Sequence, residues 1–174
     1  MTKLTSYPTN SNRIISILGG LCLFLSLIEY IIPKPIPFIK LGIANIPILI
    51  SIVILPKKDI LKLILIKSIG GSLVSGNLFS WIFLYSLSGS LISGISMILI
   101  SILLNNKVSM IGISLIGSLT SNLTQILLAT AILGPGAKYL GVPILIIGFI
   151  SGTFIGVLTN NFLNKSVWIR NFNK

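Results

Sequence analysis

Long apolar runs, separated by short polar or proline-containing breaks, make up most of this 174-residue sequence. Only 9% of the residues are charged, whereas soluble domains carry about 25%. So few charges cannot cover the surface of a water-soluble globule, and 53% of the residues are hydrophobic. The pattern therefore predicts an integral membrane protein and argues against a soluble enzyme, a disulfide-bonded secreted domain and a disordered tail.

Six of the runs are candidates for membrane helices, which need about 20 residues. Their approximate bounds are 14–32, 41–55, 60–75, 78–104, 108–133 and 142–163. Pro47 predicts a kink or a re-entrant start in the short second run, and the fourth is predicted to tilt or to begin with a break. We therefore expect an all-α bundle of six transmembrane helices over 14–163, with a short N-terminal tail at 1–13 and a basic C-terminal tail at 164–174.

Basic residues are distributed unequally over the breaks. The breaks before the second, fourth and sixth runs hold only Lys34, Lys40 and Lys138, and most other Lys and Arg residues lie at the opposite face. Because cytoplasmic loops carry the excess of Lys and Arg, both termini are expected to be cytoplasmic, which an even helix count also requires. The net charge of +11 is spread between apolar runs, a distribution typical of membrane helices and not of a nucleic-acid-binding face.

The sequence offers little for catalysis. It contains no histidine, Cys22 is its single cysteine, and its two acids, Glu29 and Asp59, fall at opposite membrane faces in the predicted topology. A metal site and a carboxylate pair for acid–base chemistry are therefore not expected. The glycine-rich phosphate loop of ATPases is also missing. We predict a protein that is not an enzyme and holds no cofactor of its own.

Glu29 and Lys67 are the two charged residues within predicted helices that are candidates for a functional site, because a charge at membrane depth is costly and by default marks such a site. Glu29 either pairs with Lys34 or Lys40 near the outer interface or lines an outward-facing pocket. Lys67 lies in the middle of the third run. It either pairs with Glu29 or offers a cation to an anionic ligand, and these two alternatives are compatible.

Amides and aromatic residues supply further candidates for ligand binding. The amides in or beside apolar runs are Asn45, Asn77, Asn122 and Gln125. Each either binds a polar ligand or joins two helices, and the spacing of three that puts Asn122 and Gln125 on one helix face favours the ligand. Trp81 and Tyr85 are one turn apart and either stack on a flat ligand or belong to an interfacial aromatic belt.

Stripes of small residues run along three of the predicted helices. They are Gly148, Gly152 and Gly156 in the sixth, Ser86, Ser90 and Gly94 in the fourth, and Ser114 and Ser118 in the fifth. Small residues at such spacing let helix backbones approach closely. The stripes are interpreted either as packing surfaces within the bundle or as a docking groove for another membrane subunit.

The order of these polar features resembles that of a known family. An acid ends the first run, a proline-rich break follows, and then come KLGIAN at 40–45, KSIGGS at 67–72, LSGS at 87–90 and SNLTQ at 121–125. Over about 14–163 the chain resembles the family labelled heptaprenyl diphosphate synthase component I, or Gx transporter family, grouped with the substrate-binding S components of energy-coupling factor (ECF) transporters. Lys67 stands where that family more often has Arg, and Ser121 where it more often has His.

The resemblance implies a six-helix S-component fold in the bacterial cytoplasmic membrane. Such a subunit binds a small vitamin-like molecule, or a quinone or isoprenoid precursor, from outside. The implied partners, besides membrane lipid, are a membrane coupling subunit and two cytoplasmic ATPases that use ATP. The candidate substrate-binding residues are Glu29, Lys40, Asn45, Lys67, Asn77, Trp81, Tyr85, Asn122 and Gln125.

The alternative function is that of a non-catalytic membrane accessory protein in polyprenyl diphosphate or quinone biosynthesis. The catalytic subunit of such a synthase is not a possible function for this sequence. Those enzymes hold their substrate through Mg²⁺ on aspartate-rich motifs, because hard cations prefer carboxylate oxygens. Asp59 is the single aspartate in the sequence.

Overall fold

The computed structural model describes residues 11–32, 41–76, 78–104 and 108–166. These residues form six α-helices and contain no strand. The helices are α1 (Ser11–Ile31), α2 (Ile46–Ile54), α3 (Lys57–Val74), α4 (Trp81–Leu103), α5 (Met110–Leu133) and α6 (Gly141–Lys165). Short 3-10 turns, Ile43–Asn45 and Pro135–Leu140, precede α2 and α6. The prediction of an all-helical protein is confirmed.

The breaks between helices follow the prolines and glycines. Pro47 lies in the first turn of α2, where backbone N–H groups have no acceptor within the helix. Its missing N–H therefore costs no hydrogen bond, and Pro47 marks the start of the helix and does not kink it. The turn before α2 starts at Gly42, whose φ of 75° is in the left-handed region that glycine adopts without strain. The helix α4 begins only at Trp81, after a turn at 78–80, in line with the predicted break.

The protein is a multi-pass membrane protein. Four spans among the described residues are long and apolar enough to cross a membrane, namely Ser11–Ile31, Phe83–Leu103, Met110–Leu133 and Pro135–Lys165. The other two helices differ from them, since α2 has only 9 residues and α3 begins with two lysines and an aspartate. Six membrane crossings and cytoplasmic termini therefore remain predictions.

The short helix α2 lies in the centre of the bundle. It contacts all five other helices, and Ile48 and Leu49 on it are at most 1% exposed. The outer faces of the longer helices are apolar but exposed, as at Leu127, Phe149 and Phe154, each more than half exposed. An apolar exterior around a buried centre is the arrangement expected of a bundle that is surrounded by lipid.

The glycines of α6 lie against α5. A Cβ atom on Gly156 would come within 2.5 Å of the Cα atom of Ile111, and one on Gly152 would come within 3.3 Å of the Cα atom of Leu115. On α4, a Cβ atom on Gly94 would lie 3.0 Å from Cγ1 of Ile64 in α3. The small residues at these positions therefore let neighbouring helices within the chain approach closely.

Candidate functional site

A cavity of about 160 Å³ lies between α1, the turn at 42–45, α3, α4, α5 and α6. Most of the residues that line it have polar side chains. Ten serines line it: Ser26, Ser68, Ser72, Ser75, Ser86, Ser90, Ser93, Ser114, Ser118 and Ser121. Four larger polar side chains, Glu29, Asn45, Lys67 and Asn122, complete the polar part of the lining. A concave site with convergent polar groups is the best candidate for ligand binding.

One side of the cavity, which we call the charged wall, consists of α1, the turn at 42–45 and α3. Glu29, near the end of α1, is 8% exposed. Its carboxylate accepts the backbone N–H of Gly42 at 3.0 Å and that of Ala44 at 3.5 Å. The acid therefore holds the turn that leads into α2, because two amide dipoles point at its negative charge.

Lys67 approaches the same turn from α3. Its half-buried ammonium donates a hydrogen bond to Oδ1 of the Asn45 side chain. Lys67 and Glu29 form no direct ion pair within 4 Å and interact only at longer range. A lysine ammonium has three N–H donors, so the bond to one neutral amide leaves donors for a further partner.

The opposite side, which we call the neutral wall, consists of α4, α5 and α6. Here α5 is bonded to backbone carbonyls of α6: Ser114 Oγ donates to Gly152 O and Ser118 Oγ to Gly148 O, both at 2.8 Å. Asn122, 3% exposed, donates from Nδ2 to Ile144 O at 3.1 Å. Asn122 thus joins two helices and also lines the cavity.

Two of the lining hydroxyl groups are buried and have no hydrogen-bond partner among the described residues. Ser68 on α3 and Ser93 on α4 are each 2% exposed, and neither Oγ atom makes a hydrogen bond. Ser72, by contrast, donates to Ser68 O one turn back at 2.8 Å. A buried polar atom without a partner costs about 1–3 kcal/mol and therefore needs an explanation. A polar molecule in the cavity supplies one.

Several of the sequence-predicted residues lie elsewhere. Gln125 and Tyr85 line a second cavity of about 30 Å³, otherwise formed by apolar residues, so the predicted pair of Asn122 and Gln125 is divided between two cavities. Trp81 is 66% exposed and lines neither of them. Lys40 and Asn77 lie outside the described residues. The structure thus brings Glu29, Asn45, Lys67 and Asn122 together in one site.

Serines were not predicted to line the cavity, and four of them were assigned only to helix-packing stripes, although a repeated spacing marks the set. Three segments contribute serines at positions i, i+4 and i+7: 68, 72 and 75 in α3 and the residue that follows it, 86, 90 and 93 in α4, and 114, 118 and 121 in α5. Residues at that spacing share one helix face. Three such polar faces in one membrane domain indicate a common polar interior. Among the described residues no group of acids, histidines and cysteines could hold a metal ion.

Comparison with known proteins gives one match. The model of the family described as Heptaprenyl diphosphate synthase component I matches residues 18–162. That range contains Glu29, Lys67 and all ten lining serines. No curated protein and no solved structure matches the chain.

Proposed function

This chain belongs to the family described as heptaprenyl diphosphate synthase component I, and we propose that it is the membrane-embedded substrate-binding subunit of an ECF-type importer. In this role it captures a small, water-soluble molecule from outside a bacterial cytoplasmic membrane. The chain supplies the binding site, and a coupling subunit with two cytoplasmic ATPases supplies the energy. The sequence itself contains no phosphate-binding loop of the ATPase type.

The observation that carries this proposal is the polar cavity. Burying polar and ionisable side chains within the membrane is energetically costly. Such side chains are therefore found mainly along pathways and in binding sites for polar substrates. In this chain those groups converge from several helices on one cavity. At Ser68 and Ser93 the buried hydroxyls make no hydrogen bond among the described residues, so stability of the bundle alone does not account for polar side chains there.

The position of the cavity supports uptake from outside. The cavity reaches Glu29 at the end of α1 and Ser75 just after α3. Arg13 and Lys57 lie at the opposite ends of the same two helices. With the basic ends in the cytoplasm, as the positive-inside rule requires, the cavity faces the outer side of the membrane.

A second candidate function follows from the description of the family. As a component of heptaprenyl diphosphate synthase, the chain would be a non-catalytic membrane protein that handles a prenyl substrate for a soluble enzyme. That role calls for a cleft open to lipid and lined by apolar side chains. The serine-rich lining of the cavity favours the importer.

The test is native mass spectrometry of the protein purified from its own membranes in mild detergent. We expect a bound small metabolite, or co-purifying coupling subunit and ATPases. The metabolite should be lost in Lys67→Ala and kept in the matched control Lys62→Ala, because Lys62 is exposed and bonds to Asp59 outside the cavity. A co-purifying soluble prenyl synthase, or a long-chain lipid in the cavity, would refute the importer and support the second function.

A further inference from the structure

We propose that the cavity binds a small molecule with a single oxyanion group, a carboxylate or a phosphate, and that Lys67 is the residue that selects this charge. The inference rests on the proposed function and narrows it to a class of substrate. Its basis is the unequal way in which the two charges of the charged wall are neutralised.

The negative charge of Glu29 already has partners. Both of its carboxylate oxygens accept backbone N–H groups of the turn at 42–45. Among the described residues, the positive charge of Lys67 has only the neutral amide oxygen of Asn45 as a hydrogen-bond partner, and no acid lies within 4 Å of it. A cation held at membrane depth is costly unless an anion meets it. The ligand is the partner that can bring this anion.

The unpaired hydroxyls lie where they can share such an anion with Lys67. Ser68 follows Lys67 in α3, and Ser93 brings a second hydroxyl from the neutral wall. Each is at least nine-tenths buried and lines the same cavity. Hydroxyl and ammonium donors to an oxyanion form charge-assisted hydrogen bonds, which are stronger than those between neutral groups.

Glu29 limits the number of anionic groups on the ligand. Its carboxylate lines the same cavity, so a second anionic group at that end would be repelled. The ligand therefore carries one oxyanion, placed at Lys67, and neutral or cationic groups toward Glu29. The remaining serines suit hydroxyl or amide groups, because a serine hydroxyl both donates and accepts.

The size and lining of the cavity favour a small ligand that is neither a long chain nor a flat ring. Its volume of about 160 Å³ is below the roughly 300–1,000 Å³ of pockets for drug-sized molecules. A long isoprenoid chain cannot be enclosed in it. Among the described lining residues Tyr30 is the single aromatic, and it is 56% exposed, so a flat ring finds no stacking partner deep in the site.

The experiment measures charge selection in the cavity with reagents that carry one charge each. A cysteine is placed at Ser93 in a Cys22→Ala background, and, separately, at Ser75 near the end of α3; both positions line the cavity. The probes are the anionic 2-sulfonatoethyl and the cationic 2-(trimethylammonium)ethyl methanethiosulfonates. The cysteine thiolate displaces methanesulfinate and forms a mixed disulfide, and each rate is normalised to that with free 2-mercaptoethanol.

We expect the anionic reagent to react faster, and Lys67→Gln to lower the anion-to-cation rate ratio about tenfold. Lys62→Gln, which removes an equal charge from the same helix outside the cavity, should leave the ratio unchanged. A preference for the cation, or a ratio unaffected by Lys67→Gln, would overturn the assignment of an oxyanion while leaving an accessible cavity. Failure of both reagents at both positions, in protein that elutes as a single symmetric peak, would overturn the proposed function itself.

Protection assays with known compounds separate the two oxyanions. Millimolar sodium glycerate and glycerol 3-phosphate are added during modification, with glycerol as the neutral control. Slowing by glycerate alone indicates a carboxylate, and slowing by glycerol 3-phosphate alone indicates a phosphate. Slowing by glycerol to the same extent, or by none of the three, contradicts the proposal.

Discussion

The two walls of the cavity are held together in different ways. In the charged wall, two side chains hold the irregular turn at 42–45. Glu29 of α1 accepts the backbone N–H of Gly42, and Lys67 of α3 donates to the side chain of Asn45. In the neutral wall, regular helices lie so close together that serines of α5 reach backbone carbonyls of α6. The first arrangement depends on a few polar contacts, and the second depends on the absence of side chains at glycines.

This difference assigns helix packing to the neutral wall and ligand binding to the charged wall. Lipid is as apolar as leucine, so helices in a membrane associate through close packing and hydrogen bonds and gain little from burying apolar surface. The neutral wall meets that requirement with its glycines and serines. The charged wall keeps a cation and an acid available at the cavity, and it is the part on which the proposed substrate class depends.

The largest effect is expected from filling the α5–α6 contact. In Gly156→Ala the new methyl group would lie 2.5 Å from the Cα atom of Ile111, and that backbone atom can move only if the helices separate. The free energy of unfolding should fall by about 3 kcal/mol. The check is thermal unfolding in detergent, with Gly20→Ala as control, because a Cβ atom there meets nothing within 4 Å. Equal losses of unfolding free energy in both variants would mean that the close contact of Gly156 with α5 does not stabilise the neutral wall.

A smaller loss is expected from removing the charge that holds the turn. In Glu29→Gln one carboxylate oxygen becomes an amide nitrogen, so either Gly42 or Ala44 loses the acceptor of its N–H. The free energy of unfolding should fall by about 1.5–3 kcal/mol, the range for hydrogen bonds to charged groups. The same unfolding assay applies, with Asp59→Asn as the matched control outside the cavity. No difference between the two variants would mean that the turn is held by packing.

Single hydroxyls in the neutral wall should matter less. Ser114→Ala removes one bond between α5 and α6 and should cost about 0.6–2 kcal/mol. Its control is Ser96→Ala, because the exposed Ser96 hydroxyl donates back to Ile92 O in its own helix and joins no second helix. If the two variants unfold at the same temperature, the hydrogen bond from Ser114 to α6 does not stabilise the neutral wall.

The smallest effect concerns pH and lies outside both walls. A hydrogen bond from the Lys62 ammonium, and a second from the Ser11 hydroxyl, hold the pKa of the Asp59 carboxyl below its ordinary value. A lowered pKa in the folded protein means that the stabilisation is complete above the unfolded pKa of about 4 and is lost as the pH falls through the folded value. Unfolding curves between neutral pH and acid should therefore show a slightly flatter decline in Asp59→Asn. An identical decline of stability with pH in the two proteins would show that the contacts of Asp59 do not contribute to the free energy of unfolding.

The sequence by itself determined that this is an all-helical membrane protein, and it predicted, to within a few residues, most ends of the six α-helices in the described part of the chain. These properties depend on local quantities, namely the transfer of each apolar run into lipid and the backbone limits of proline and glycine. Glu29 and Lys67 could also be singled out locally, because a charge inside an apolar run is costly wherever the run packs. The family resemblance stated from the polar motifs was likewise confirmed by the match over 18–162.

Only the tertiary structure decided which of these polar groups meet. It brought Glu29 and Lys67, from two different helices, into contact with the same turn at 42–45 without a direct ion pair. It put Gln125 and Asn122 at different cavities. It also brought the serine faces of α3, α4 and α5 around one space. The physical reason is that the face a helix presents to its neighbours depends on its rotation and crossing angle. Contacts between residues distant in the sequence set these, and no single run of residues encodes them.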